Sequence, residues 1–155
     1  MLSMLKRTEG DPLQGRLVYR PGDRALDVEP HSDSGGASLL VNDAQIELDE
    51  DSHLLYVWGY CPHESWQASK LELPRSSPGR LSFSGAPIVP GSSARLNHER
   101  WPILFDEAAG WLCIGSPGAR GDAVEFSPGA IAVLDNGELQ ALWLHPELLP
   151  TNVVP

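Results

Sequence analysis

From Leu54 to Tyr60 the chain reads L-L-Y-V-W-G-Y, with apolar side chains on both parities of the run. Successive side chains of a strand leave opposite faces, so a run apolar on both faces predicts a central strand covered on two sides. Aromatic and β-branched residues suit a pleated surface. Pro62 lacks an amide hydrogen and holds Cys61 in an extended shape, which ends the strand near Tyr60. Gly59 predicts a bulge or a close backbone approach at the exit. Upstream, Ala44, Ile46 and Leu48 alternate with Gln45, Glu47 and Asp49, the pattern of a half-buried strand. The polar run Asp49-Glu50-Asp51-Ser52 predicts the turn of an antiparallel hairpin that joins residues 44–49 to 53–60.

A second hairpin is written near the end of the chain. A-I-A-V-L-D is followed by Asn136-Gly137 and then by E-L-Q-A-L-W-L. Asn-Gly between two apolar runs predicts a type I′ turn. A regular ladder then sets Leu134 opposite Leu139, Ala132 opposite Ala141 and Ala130 opposite Trp143, all on one face. Asp135 stands opposite Glu138, a like-charge pair whose cost is small where the turn is solvated.

Between and before these hairpins the pattern is weaker. Residues 1–15 read as a loosely ordered entry, and Arg16 to Arg20 as a strand closed by a Pro21-Gly22 turn. Residues 21–37 read as loop, with H-S-D-S-G-G at 31–36 its most mobile stretch. Gln67 to Leu73 fits a bulged strand or a single helical turn. Arg80 to Ser84 alternates as a strand, residues 87–90 suggest a short edge piece, and residues 94–100 suggest a short helix. Trp101 to Phe105 and Trp111 to Ile114 bracket a hairpin connection. Ser-Pro-Gly occurs at 77–79, 116–118 and 127–129, where Pro then Gly suits a type II turn. The uneven spacing of these triplets does not mark a repeat. The expected fold is all-β or β-dominated α+β, with seven to ten strands. It is a bent antiparallel sheet, sandwich or barrel with at most one or two short helices, formed by one domain over residues 1–155.

Composition sharpens this. Fifteen Gly and fourteen Pro are spread as punctuation through 155 residues, which favours short strands over long helices. The 21 acidic and 11 basic side chains give a formal net charge of −10. That charge argues against nucleic acid and anionic membranes, whose binders depend on Lys and Arg, and permits a basic protein partner. No run approaches 18 apolar residues, and the first residues lack the apolar core of a secretory signal. Two cysteines, Cys61 and Cys113, do not make a disulfide framework, so a cytoplasmic protein with reduced thiols is expected.

Candidate chemistry is sparse. Cys61-Pro62-His63 has one residue between its ligand types and no second pair, which does not fit zinc spacing. Cys61 and His63 can act as nucleophile and base only if the chain brings them together, and neighbours at i and i+2 of an extended chain point the same way. Glu64 raises the thiol pKa rather than lowering it. The sequence holds no G-x-S-x-G elbow, P-loop or G-x-G-x-x-G. The acidic run does not follow a Ca²⁺ loop. No cofactor, metal or catalytic residue is expected.

The partner-binding residues that remain are Glu47, Asp49 and Asp51, which share strand parity as a negative stripe at a hairpin tip, Glu50 beside them, and Tyr60 and Trp66 as aromatic anchors. Small size, acidity and the lack of a catalytic motif give a profile similar to that of bacterial immunity proteins, which neutralise toxins. The profile implies a non-enzymatic inhibitor of a basic partner such as a toxin. Two alternatives stand beside it. One is a small-molecule-binding barrel or enzyme with a pocket using Cys61 and His63. The other is a structural or assembly subunit, whose two-faced strands form a homodimer interface.

Overall fold

The computed structural model describes residues 4–12, 14–30, 36–85 and 89–150. In chain order the strands are β1 (Met4–Thr8), β2 (Arg16–Arg20), β3 (Ala25–Glu29), β4 (Ala37–Val41), β5 (Ala44–Leu48) and β6 (Leu54–Tyr60). A single 3₁₀ turn at His63–Ser65 precedes β7 (Trp66–Ala68), β8 (Ser77–Pro78), β9 (Arg80–Ser84) and β10 (Ser93–Arg95). Then come β11 (Ile103–Asp106), β12 (Trp111–Gly115), β13 (Asp122–Ser127), β14 (Ala130–Asp135), β15 (Glu138–Leu144) and β16 (Glu147–Leu148).

The strands form two seven-stranded sheets and a two-stranded ribbon. One sheet runs β10-β4-β5-β6-β3-β2-β16, the other β7-β11-β12-β15-β14-β13-β8, and the ribbon pairs β1 with β9. Interior pairings are antiparallel, while the short pieces β10, β16, β7 and β8 pair in parallel at the four edges. Short edge strands limit edge-to-edge association. The main core lies between the sheets: Leu39, Ile46, Leu48 and Val57 from one meet Leu112, Ile114, Ala132 and Leu142 from the other. The β-rich expectation therefore holds, in its sandwich-like form.

The two sheets are built alike. Each starts with a hairpin, β2-β3 or β11-β12, and continues with a three-strand meander, β4-β5-β6 or β13-β14-β15. In both, the last meander strand pairs with the second hairpin strand. Ala44, Leu48 and Asp49 correspond to Ala130, Leu134 and Asp135, and Trp58 corresponds to Trp143. Both final strands carry one extra residue near their start, opposite Glu47 in β6 and at Gln140 in β15. After each meander the chain crosses over. β7 follows β6 but pairs with β11 of the other sheet, and β16 follows β15 but pairs with β2. The two halves thus repeat one strand order and exchange their last strands, a duplicated topology. The triplets Ser-Pro-Gly do not mark this duplication; strand order and register do.

The ribbon lies on the pseudo-twofold axis. Leu5 pairs with Phe83. The Leu5 N–H donates to the Gly137 carbonyl and the Phe83 N–H to the Ser52 carbonyl, each at 2.8 Å. Ser52 and Gly137 are corresponding tip residues, and both have positive φ, 64° and 83°. Leu5, Leu81 and Phe83 are buried, so the ribbon closes one end of the core.

Several expectations require correction. Met4–Thr8 is a strand within the stretch read as a loose entry, because Leu5 anchors it in the core. Ala25–Glu29 is a strand within the stretch read as loop, with Leu26 and Val28 buried on one parity. Residues 94–100 are not helical: Ser93–Arg95 pair with β4, and the buried Asn97 side chain ties the following segment to the β4–β5 turn. The described residues form sixteen strands, more than the expected seven to ten, and four of them are two- or three-residue edge pieces. Ser77–Pro78 is a two-residue strand, where a turn is expected. Gly129 does take the left-handed shape that a type II turn needs. Gly59 has φ 102°, but the extra residue of β6 lies earlier in the strand. The expectations for 31–35 and 87–88 fall outside the described residues.

The register of the last hairpin also differs. Asp135 faces Glu138 and Leu134 faces Leu139, as the Asn-Gly turn requires. The bulge at Gln140 then shifts the ladder, so Ala132 faces Leu142 and Ile131 faces Trp143. One extra residue flips every later side chain to the other face. Leu142 and Leu144 therefore enter the main core, and Ala141 and Trp143 join Cys113, Ile131 and Val133 on the outer face.

Candidate docking surface

The expected acidic stripe divides on folding. Glu47 is buried, 7 % exposed. Its Oε2 accepts the Gly36 N–H at 2.9 Å and its Oε1 accepts the Trp58 indole N–H at 3.0 Å. Glu47 is an internal acceptor, not a docking acid. Asp49 is half-buried and organises its own turn. Its Oδ1 accepts the N–H groups of Asp51 and His53 at 2.9 and 2.8 Å, and its Oδ2 lies 3.0 Å from His53 Nδ1. Burial pushes this carboxyl up, but those hydrogen bonds outweigh burial and hold it below the ordinary range. Asp49, Asp51 and His53 lie close enough to share a cation. Both Asp49 oxygens are committed to the turn, which accounts for the cluster. Only Glu50 and Asp51 remain exposed at the tip.

The expected aromatic anchors lie elsewhere. Tyr60 is 51 % exposed but sits at the far end of β6 from the tip, about 20 Å away at 3.3 Å per residue. Trp66 is half-buried, with Tyr19 and Phe105 at ring-centroid distances of 4.7 and 5.0 Å. It fastens the exchanged strand β7 to the core. Trp66, Tyr60 and the acidic tip do not form one patch.

Cys61 and His63 do not come together as a nucleophile and base. Cys61 is 1 % exposed, and burial pushes its thiol up to about 11. His63 opens the 3₁₀ turn and faces outward, with Nδ1 3.2 Å from the Tyr19 hydroxyl. The Cys61 side chain enters the core while the His63 side chain lies at the surface. The Tyr19 hydroxyl donates to the Cys61 carbonyl at 2.8 Å, and burial pushes its own pKa up to about 12. Cys113 is also buried, with its thiol pushed up to about 12. Such thiols are weak nucleophiles near neutral pH.

What the fold does assemble is an acidic end. Ser52, Phe83, Leu5 and Gly137 stand side by side, so the two meander tips flank the ribbon about three strand spacings apart, roughly 14 Å. One tip presents Glu50 and Asp51, the other Asp135 and Glu138, all exposed. Among the described residues none of these four carboxylates forms an ion pair. The nearby arginines are engaged: Arg80 lies 3.5 Å from Asp49, and Arg7 lies 2.9 Å from Asp122. Lys6 and the partly exposed Met4 lie on the ribbon between the tips. Asp135 and Glu138 were legible as a like-charge pair at a turn; their meeting with Glu50 and Asp51 required the duplicated topology.

Beside this end, a cleft of about 420 Å³ opens between the 95–101 segment and the start of β15. Leu5, Trp101 and Leu139 line it together with Arg95, Glu99 and Glu138. The segment is held by two buried asparagines. Asn97 Oδ1 accepts the Asn42 N–H at 3.1 Å, and Asn97 Nδ2 donates to Asn42 Oδ1 at 2.7 Å and to the Glu99 carbonyl at 3.0 Å. Asn42 holds Trp101 by both backbone groups, at 3.0 and 2.9 Å.

Comparison with known proteins gives no match to this chain among family models, curated proteins or solved structures. No helix among the described residues is long and apolar enough to cross a membrane.

Proposed function

We propose that the chain is a non-enzymatic binding protein that docks a basic protein partner at its acidic end, in the manner of an immunity protein inhibiting a toxin. The observation that supports this reading is the convergence of Glu50, Asp51, Asp135 and Glu138 around the ribbon while the nearby Arg80 and Arg7 are paired with Asp49 and Asp122. Unpaired surface charge of one sign steers an oppositely charged partner and disfavours like-charged ones. The protein acts in the cytoplasm, without nucleic acid or membrane as partner.

The test is affinity capture from the native cell at low and high salt, read by mass spectrometry. The wild-type chain is expected to retain a basic partner at low salt and release it at high salt, where exposed charges are screened. The triple reversal Glu50→Lys, Asp51→Lys and Asp135→Lys is expected to abolish capture. Undiminished capture by this variant would refute docking at the acidic end.

A further inference from the structure

The residues of the first half that correspond to Leu5, Leu139 and Gln140 are Phe83, Leu54 and Leu55, buried at 7 %, 2 % and 3 % exposure. In the second half Leu5 stands where Phe83 stands, and Leu139 and Gln140 are only half-buried. Leu5, Leu139 and Gln140 line an open cleft there together with the 95–101 segment.

The wall of the cleft is fixed. Besides its two backbone bonds to Asn42, the Trp101 ring rests on Gly115. A Cβ at Gly115 would stand 3.0 Å from Trp101 Cε3 and 2.6 Å from the Gln140 carbonyl, and the φ of 117° itself favours glycine. Only a residue without a side chain seats the indole here.

The charged groups of the lining are unequal in their commitments. Arg95 Nη1 already donates to the Asn42 carbonyl at 2.8 Å and lies 3.4 Å from Asn97 Oδ1. The Glu99 and Glu138 carboxylates form no ion pair among the described residues. The cleft therefore offers an indole, apolar side chains, the His98 imidazole and two carboxylates without an ion pair among the described residues, against one engaged guanidinium. A planar guanidinium stacks on an aromatic face and donates paired hydrogen bonds to a carboxylate, and an ammonium lacks that geometry. We propose that this cleft is the socket for an arginine side chain of the basic protein partner. The proposal rests on the preceding reading for the partner's nature, and Glu138 belongs to both surfaces. It supplies the buried anchor that a purely electrostatic end lacks, since binding energy concentrates where an aromatic or arginine anchor fills a pocket.

The test uses the full chain alone. ¹⁵N-labelled protein is titrated with N-acetyl-arginine methylamide, following the Trp101 indole N–H, assigned with Trp101→Phe. Saturable shifts at that indole and at the amides of residues 138–140 are expected at millimolar ligand. N-acetyl-lysine methylamide is expected to bind several-fold more weakly. Glu99→Gln and Glu138→Gln alter exposed side chains and are expected to leave the fold intact, while each weakens arginine binding several-fold. The proposal is overturned by the absence of a saturable shift, by equal binding of lysine, or by indifference to both glutamine variants. Because no partner is present, this result is independent of the capture experiment. Arginine binding with undiminished capture by the triple reversal would remove the tip docking and keep the socket. The opposite pair of results would remove the socket alone.

Discussion

Asn97→Ala is the most direct probe of how the 95–101 segment is held. The substitution removes the acceptor of the Asn42 N–H and two donated bonds, to Asn42 Oδ1 and to the Glu99 carbonyl. Each such bond contributes about 1 kcal/mol net, and a buried N–H left without a partner costs roughly 1–3 kcal/mol. Asn42 Oδ1 keeps its bond from the Trp101 N–H, which limits the loss. The expected destabilisation is about 2–4 kcal/mol. With a urea m-value of about 2 kcal/mol/M, the unfolding midpoint falls by roughly 1–2 M. Asn97→Asp gives a second reading. It keeps an oxygen for the Asn42 N–H but sets a carboxylate oxygen against Asn42 Oδ1, now 2.7 Å from Nδ2. It is expected to be at least as destabilising at neutral pH and to recover partly in acid, where the carboxyl gains a proton to donate. A midpoint for Asn97→Ala within about 0.3 M of wild type would show that the network does not hold the segment.

Three further outcomes follow from the same geometry. Cys61 and Cys113 are buried, with thiols pushed up to about 11 and about 12, so the native protein at pH 8 is expected to resist a thiol-reactive dye and to react fully once unfolded in urea; fast native reaction would contradict their placement. Glu47→Ala leaves the Gly36 N–H and the Trp58 indole without their acceptor and is expected to cost about 1–3 kcal/mol in urea unfolding, whereas a solvated docking acid at this position would cost almost nothing. Asp106, hydrogen-bonded by the Leu71 and Ala109 N–H groups, and Asp122, hydrogen-bonded by Arg7, are both held below the ordinary carboxylate range; a lowered carboxyl stabilises the fold above its unfolded pKa of about 3.9, and that contribution is lost as pH falls through the lower native value, so the urea midpoint is expected to fall as pH drops below about 4, less steeply in Asp122→Asn.

The strong local signals survived folding. Leu54–Tyr60 lies inside a sheet, and Asn136-Gly137 makes the tight turn that its two positive φ values require. What failed was non-local. Gln140 reads as an ordinary polar position of an alternating strand, yet its bulge moves Leu142 and Trp143 to opposite faces from a regular ladder. Glu47 reads as the outward position of a half-buried strand, yet the Trp58 indole makes it an internal acceptor. A-R-L-N-H-E-R resembles a helix only until Asn97 finds Asn42, far away in sequence. The duplicated topology is not legible in the sequence because the halves share strand order and register more than residue identity. For the site, the sequence held the acids at both turns but not their proximity, which the ribbon creates.

The duplicated halves also carry an asymmetry in a shared role. Trp58 donates its indole N–H to Glu47, whereas Val133 stands at the position corresponding to Glu47, and the buried Trp143 Nε1 has no acceptor among the described residues. An unmet donor of this kind is costly. The second half thus keeps the shape of the Trp–strand contact without its polar partner.

The exchanged strands β7 and β16 have a consequence for damage and repair of the chain. Each half completes its edge with a piece that the sequence assigns to the other, so unfolding either half strips a strand from its neighbour. A protease that nicks residues 69–76 would sever the backbone without separating the product, because Trp66 would still be packed on Phe105 and Leu149 would still donate to the Tyr19 carbonyl at 3.0 Å. The two fragments would behave as a heterodimer that had been one polypeptide, each acting as the template on which the other refolds.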